Sequence, residues 1–289
     1  MGRLLRNYIT LVFLSLIWGS SFILMKRGLE VFDFIEVATL RIVIAFFFLI
    51  PLMYNAIRVV KRKHYLPIII SGLLGNGIPA ILFAKAQTEL DSALVGTLNA
   101  IVPLFTLILG IYFFSARPSK ANITGVFIGL LGIIILSCSV FNEGIFVNRY
   151  IFLVVLATIF YAISINVIKK YLHDLDASSI AALAFLFIGP IATFYLFNTN
   201  FLYHLNHPGG YKAFGYIALL AVLGTAIAAI IFNRLLSRSS AIFVSSITYL
   251  IPIIAICWGI FDGEIITYYH ILGCIVILSG VYLVNKPTN

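Results

Sequence analysis

The chain has 289 residues, of which 62% are hydrophobic and only 10% charged, at a mean hydropathy of +1.11. Soluble domains carry about a quarter charged residues, so the composition excludes a water-soluble globule and leaves lipid as the solvent. A formal net charge of +9 would suggest nucleic acid in a soluble protein, but here the bases sit in short loops between apolar runs. They read as membrane topology, and no nucleic-acid partner is expected.

The apolar runs are continuous rather than alternating, which predicts helices and not barrel strands. Helix 1 is predicted over 7–26, helix 2 over 34–55, helix 3 over 65–86, helix 4 over 91–114 and helix 5 over 119–140. Helix 6 follows over 149–170, helix 7 over 177–198, helix 8 over 211–233, helix 9 over 240–261 and helix 10 over 266–285. Each is near the roughly 20 residues that cross the hydrocarbon. The fold class is therefore an all-α membrane protein of ten transmembrane helices.

Helix 1 starts with MGRLLRNYITLVFLSLIWG, which imitates a signal peptide. Its apolar run continues to Met25 with no A-x-A-like site behind it, so a transmembrane helix is the reading. Ser15, Trp18, Gly19 and Phe22 share one of its faces. Trp18 falls near mid-membrane, away from the interfaces where tryptophans anchor, and its indole N–H needs a partner. It is a candidate cavity-wall or gate residue, with a packing aromatic as the alternative. Helix 2 carries Arg41, the one base well inside a span. It serves either to contact charge on a substrate or to tie helix 2 to a neighbouring carbonyl or to Glu36.

Helix 3 contains Gly75-Asn76-Gly77-Ile78-Pro79, where Pro79 cannot donate to the Gly75 carbonyl. Gly75, Gly77 and Pro79 predict a break or hinge, and Asn76 is a candidate substrate contact. Helix 4 aligns Ser92, Gly96, Asn99, Pro103, Thr106 and Gly110 on one face, and helix 9 aligns Ala241, Ser245, Thr248, Pro252, Ala255 and Gly259. Such a face serves close packing or a cavity wall. Pro103 and Pro252 each free a carbonyl, of Asn99 and Thr248, and are further hinge candidates. Asn99, Tyr161, Asn166, Thr225, Ser245, Thr248 and Tyr249 complete the substrate-binding candidates.

Helix 5 carries Gly125, Gly129 and Gly132, a face expected to pack on helix 10 in a monomer, with dimerisation the alternative. Cys138, Cys257 and Cys274 lie in apolar runs and predict no disulfide framework. No metal cluster, phosphate loop or nucleophile–base pair is found, so neither an enzyme nor a cofactor is expected. Glu36, Glu89, Asp91, Asp262 and Glu264 all fall near span ends. Without a mid-span acid, neutral or zwitterionic cargo and weak or absent proton coupling are expected.

With the N-terminus in the cytoplasm, Arg3, Arg6, Arg58, Lys61, Arg62, Lys63, Arg117, Lys120, Lys169, Lys170, Arg234, Arg238 and Lys286 fall inside. Only Lys26, Arg27, Lys85, Arg149 and Lys212 fall outside. The positive-inside rule then places both termini in the cytoplasm. The halves also match each other. An offset of 143 puts Trp18 on Tyr161, Ser21 on Ser164, Lys26 on Lys169 and Asp33 on Asp176. An offset of 149 puts Gly75 on Gly224, Phe83 on Phe232, Pro103 on Pro252 and Gly110 on Gly259, and an offset of 148 puts Gly125 on Gly273. Two five-helix repeats, 1–142 and 143–289, form one membrane domain. An odd helix number inverts the second repeat, the arrangement that supports alternating access.

The WGSSF of helix 1 with Lys26 after it, Leu40-Arg41, the segment from Phe83 to Ala93, Pro103, Pro252 and Gly263-Glu264 resemble the drug/metabolite transporter superfamily, in its ten-helix EamA-type exporter branch. The resemblance spans essentially the whole chain. Ser115-Ala116-Arg117 departs from it where the family often has Gly-Glu. It implies a central cavity lined by helices 1, 3, 4, 6, 8 and 9, and a carrier of small metabolites or amino acids in the cell membrane. The expected function is export of a small neutral or zwitterionic metabolite. The alternatives are an exchanger of anionic phosphorylated metabolites, or a membrane receptor or scaffold that transports nothing.

Overall fold

The computed structural model describes residues 2–141, 149–261 and 268–284. Asp262, Gly263, Glu264 and Lys286 lie outside them, as do the side chains of Arg3, Cys138, Ala255, Cys257, Gly259 and His270. The described residues are helical, with no strand among them. Helix 1 covers Gly2–Leu29, helix 2 Phe34–Val59, helix 5 Lys120–Phe141, helix 6 Tyr150–Tyr171, helix 7 Ala177–Phe197 and helix 10 Tyr268–Val284. Among the described residues, seven helices are long and apolar enough to cross a membrane. Shorter apolar helices, Lys120–Ile135, Ala241–Ile254 and Ile271–Val284, coincide with predicted spans 5, 9 and 10. Phe47, Phe113, Phe194, Phe197 and Tyr282 are more than half exposed on the outside of the bundle. That much aromatic surface suits acyl chains and not water.

Local chemistry starts the helices. Asp33 caps helix 2, accepting from the backbone of Ile35 and Glu36, while Glu36 reaches back to the Asp33 N–H in a capping box. Asp176, its repeat equivalent, caps helix 7 through the Ser179 N–H. A short helix, Phe201–Asn206, lies between helices 7 and 8. It falls in the loop whose extra length shifts the repeat offset, and it has no counterpart in the first half.

Four helices are irregular. Helix 4 is two pieces, Ser92–Asn99 and Val102–Phe114, joined by the tight turn of Ala100 and Ile101, and Pro103 opens the second piece. The break at this proline follows from its missing N–H. Helix 9 is also two pieces, Ala241–Ser245 and Ile247–Phe261. Its break is at Ser246, and Pro252 sits inside the second piece and not at the break. Helix 3 does not break at Gly75–Pro79 either. It runs from Arg62 to Ala86 through a π-helical segment, Leu73–Gly77, directly before Pro79. Helix 8, Gly210–Arg238, has its own π segment at Val222–Ile227 with no proline near it. The two bulges are repeat equivalents, so proline chemistry alone does not cause them.

Packing pairs the halves. Gly125 and Gly132 of helix 5 face helix 10 and Gly129 faces Tyr249 of helix 9, and a Cβ on Gly125 would lie 2.7 Å from the Val284 nitrogen. One on Gly280 would lie 2.6 Å from the Gly129 nitrogen. Backbones this close require glycine, and they cover the glycine face within one chain. Helix 2 packs along helix 7 in the same way, with Phe46 filling the notch at Gly189.

Candidate substrate cavity

Between the paired helices lies a central cavity of about 130 Å³. At roughly 10–15 Å³ per water position, it holds about ten waters, or a metabolite the size of a small amino acid. Helices 1, 3, 4, 6, 8 and 9 line it, and so do Arg41 of helix 2 and Ala181 and Ala184 of helix 7.

The wall repeats across the two halves. Trp18 packs against Phe232 with ring centroids 5.5 Å apart, and its equivalent Tyr161 stacks on Phe83, the equivalent of Phe232, at 5.6 Å. Ser21 abuts Gly224, where an added Cβ would sit 2.7 Å from its Oγ. Ser164 abuts Gly75, whose added Cβ would also fall inside contact distance. Each bulged glycine therefore receives a serine from the opposite half. Within this frame the Trp18 Nε1–H donates to the Gly224 carbonyl at 2.9 Å, supplying the partner that a deep indole requires.

Charge breaks the symmetry. Arg41 lines the cavity, and its Nε donates to Thr225 Oγ1 at 2.6 Å. Thr225 donates onward to the Leu220 carbonyl, five residues back, the spacing that a π turn offers. Glu36 does not hold Arg41, since its Oε2 bonds His204 Nδ1 at 2.7 Å on the short helix and accepts from the Asp33 N–H. Among the described residues the bond to Thr225 is the only hydrogen bond of the Arg41 guanidinium, and no carboxylate pairs with it. Its repeat equivalent, Ala184, also lines the cavity. The cation is thus present in one half of the wall and absent from the equivalent place in the other.

Polar candidates divide by place. Trp18, Gly75, Asn76, Asn99, Tyr161, Thr225, Ser245 and Thr248 all border the cavity. Asn166 and Tyr249 do not. The Asn166 amide donates to the carbonyls of Thr106 and Ala162 and packs against Gly110. The Tyr249 hydroxyl donates to the Val126 carbonyl at 2.8 Å, with its ring filling the space left by Gly129. Both hold helices together. Gly77, Pro79, Pro103 and Pro252 also stand off the cavity. Ser71, Ser164 and Asn233 join the wall unpredicted. The pairing of Ser164 with Ser21 is a signal for the second. Nothing in the sequence marks Asn233, which sits beside Arg234 and reads as a helix end.

Three buried side-chain oxygens lack a partner among the described residues: Glu36 Oε1, Gln87 Oε1 and Asn99 Oδ1. Of these only Asn99 borders the cavity. Leaving such an oxygen dry costs about 1–3 kcal/mol.

The profile of the EamA-like transporter family matches residues 5–138 and again residues 148–286. An uncharacterized transporter of Archaeoglobus fulgidus is 23% identical over 284 residues, covering 98% of this chain and 99% of that one. A probable amino-acid metabolite efflux pump of Salmonella typhimurium is 23% identical over 282 residues, covering 92% and 90%. The uncharacterized inner membrane transporter YedA of Escherichia coli is 26% identical over 300 residues, covering 98% and 92%. A solved structure titled only "Crystal structure of protein" aligns with a TM-score of 0.70 at 14% identity over 94% of both chains, which bears on the fold. Two family matches that together span nearly the whole sequence, on a helical bundle around a central cavity, place this multi-pass membrane protein among the transporters: the chain belongs to the EamA-like transporter family.

Proposed function

We propose that the protein exports a small zwitterionic, amino-acid-like metabolite across the cell membrane by alternating access, with Arg41 receiving the carboxylate of the cargo. The observation that carries this reading is a cavity-lining guanidinium with no acidic partner among the described residues. A cation in a low-dielectric wall is strongly disfavoured without a counter-charge, and a bound carboxylate supplies one. Around it stand amides, hydroxyls and aromatic faces, which suit the rest of a small metabolite. A relative named as a probable amino-acid metabolite efflux pump points the same way.

The scaffold of the proposal is ten spans in two inverted repeats, 1–142 and 143–289, with both termini in the cytoplasm and one chain sufficient for transport. Support comes from the matched contacts Trp18–Phe232 and Tyr161–Phe83, from the matched bulges, and from two separate family matches. Two halves of equivalent construction can exchange roles, opening the cavity first to one side and then to the other.

The facing of Arg41 also favours a second reading, exchange of phosphorylated metabolites. One guanidinium balances one carboxylate but leaves a phosphate dianion half neutralised, and no second cation among the described residues lines the cavity. Counterflow in proteoliposomes tests both readings. With unlabelled neutral amino acids inside and labelled ones outside, transient accumulation above empty liposomes is expected. Accumulation only with phosphorylated compounds would replace the first reading by the second.

A further inference from the structure

We infer that the side-chain carbonyl of Asn99 accepts the ammonium group of the cargo, so that this one residue makes the carrier select amino acids over carboxylates that lack the amine. The inference rests on the zwitterionic reading above and adds the residue that recognises the second pole. Asn99 is 5% exposed and lines the cavity, and its Oδ1 has no partner among the described residues. Several neighbouring polar groups are engaged. Ser21, Ser71, Ser245 and Thr248 donate to backbone carbonyls of their own helices, and the Trp18 N–H is held by Gly224. Asn99 therefore offers a bare and buried acceptor on the cavity wall, and a buried acceptor calls for a donor.

Its position explains why it is bare. Asn99 is the last residue of Ser92–Asn99, where the chain leaves the helix ahead of Pro103. A side chain at such a break faces the space between the two pieces instead of packing along a continuous helix. Its repeat equivalent, Thr248, sits just past the break of helix 9 at Ser246, but its hydroxyl is satisfied across that break by the Ser245 carbonyl.

Arg41 and Asn99 both line the cavity and both come from the first half. One supplies a cation and the other a neutral acceptor. A ligand with an anionic end and a donor end fits both, whereas a simple carboxylate fits only the first. Neutrality of the amide matters, because an aspartate sharing the cavity would compete for Arg41. The surrounding faces of Trp18 and Tyr161 add attraction for a cation without competing in that way.

The test is counterflow of labelled leucine in proteoliposomes, competed by unlabelled leucine or by 4-methylpentanoate, the same skeleton without the amine. The wild-type protein is expected to prefer leucine by about tenfold or more, the effect of one hydrogen bond to a charged group. Asn99→Leu, of similar size, is expected to lose most of that preference, with weaker leucine competition and unchanged 4-methylpentanoate competition. Asn99→Ser keeps a polar side chain too short to reach and is expected to shift the ratio in the same direction, so a poorly folding leucine variant does not end the test. A purely structural role would lower the rate for both compounds and leave their ratio alone. An unchanged ratio in folded variants overturns the inference while the cargo reading stands. Failure of the wild-type protein to move any amino acid overturns the cargo reading, and the inference with it.

Discussion

The Trp18 indole reaches from helix 1 to the Gly224 carbonyl in the π turn of helix 8, at 2.9 Å. Its repeat equivalent Tyr161 makes the matching ring contact, on Phe83, but no hydrogen bond of its hydroxyl is found among the described residues. The two aromatic walls are alike in shape and unlike in bonding. Trp18→Phe keeps a ring and removes the donor, leaving the carbonyl short of a partner at a cost of about 1–3 kcal/mol. Tyr161→Phe removes nothing of the kind and is expected to stay within about 0.5 kcal/mol of the parent. Thermal unfolding of the two purified variants decides this. A larger loss for Tyr161→Phe would mean that the indole bond does not hold the bulge.

The serine–glycine pairs allow a sharper test. Gly224→Ala places a methyl 2.7 Å from Ser21 Oγ, whereas Ser21 Cβ is 3.8 Å away. The main clash is therefore with the hydroxyl, with the flexible Leu220 Cδ1 a softer second contact at 3.1 Å, and overpacking of this size costs about 1–3 kcal/mol. Adding Ser21→Ala to the same chain is expected to restore most of the loss. For Gly75→Ala the Ser164 Cβ is itself at 3.2 Å, so Ser164→Ala restores less. A double-mutant cycle at each pair measures the coupling. Equal rescue at both sites, or none at Gly224, would contradict the geometry.

The seven long spans among the described residues are legible in the sequence because length and continuous hydrophobicity set them, and lipid allows few alternatives. The offsets of the repeat expose most of the wall, since Trp18 and Tyr161 or Gly75 and Gly224 occupy equivalent places. What composition leaves hidden is decided by contact. The break of helix 9 falls at Ser246, ahead of its proline, and the helix 8 bulge has no proline at all. Tyr249 reads as a cavity residue because it neighbours Thr248, yet a rotation of one residue turns it onto Gly129. The facing of Arg41 likewise depends on helix rotation. Its equivalence to Ala184, a second cavity residue, is the signal that could have indicated it.

On the face to which the distribution of bases assigns the cytoplasm, Asp174 receives Lys63 Nζ at 2.6 Å and the ring of buried His64 at 3.0 Å. These bonds tie the loop after helix 6 to the start of helix 3. The Lys63 hydrogen bond, with help from His64, holds the Asp174 carboxyl well below the usual carboxylate range. A carboxyl whose folded-state value is depressed stabilises the fold above its unfolded value of about 3.9, and that stabilisation fades as pH falls further. The stability difference between wild type and Asp174→Asn should therefore shrink progressively below about pH 4. Unfolding of both proteins across an acid series checks it. A difference that grows with acid would show the bonds to be destabilising.

Arg41 is where structure and transport are hardest to separate, because the same guanidinium that faces the cavity also bonds Thr225. Three variants separate them. Thr225→Val removes the tie and leaves the charge, so a structural role predicts a loss as large as that of Arg41→Gln. The charge role predicts otherwise. Arg41→Gln is expected to raise the apparent KM for an amino acid by about tenfold or more, since a charge-assisted pair is lost. Arg41→Lys keeps the charge but cannot bond Thr225 and hold a carboxylate in the same fork, so it falls between. Thr225→Val then changes KM by less than either. The concentration dependence of counterflow reads all three. If Thr225→Val and Arg41→Gln are equally impaired, Arg41 is a strut between helices 2 and 8, and the carboxylate of the cargo must be sought elsewhere on the wall.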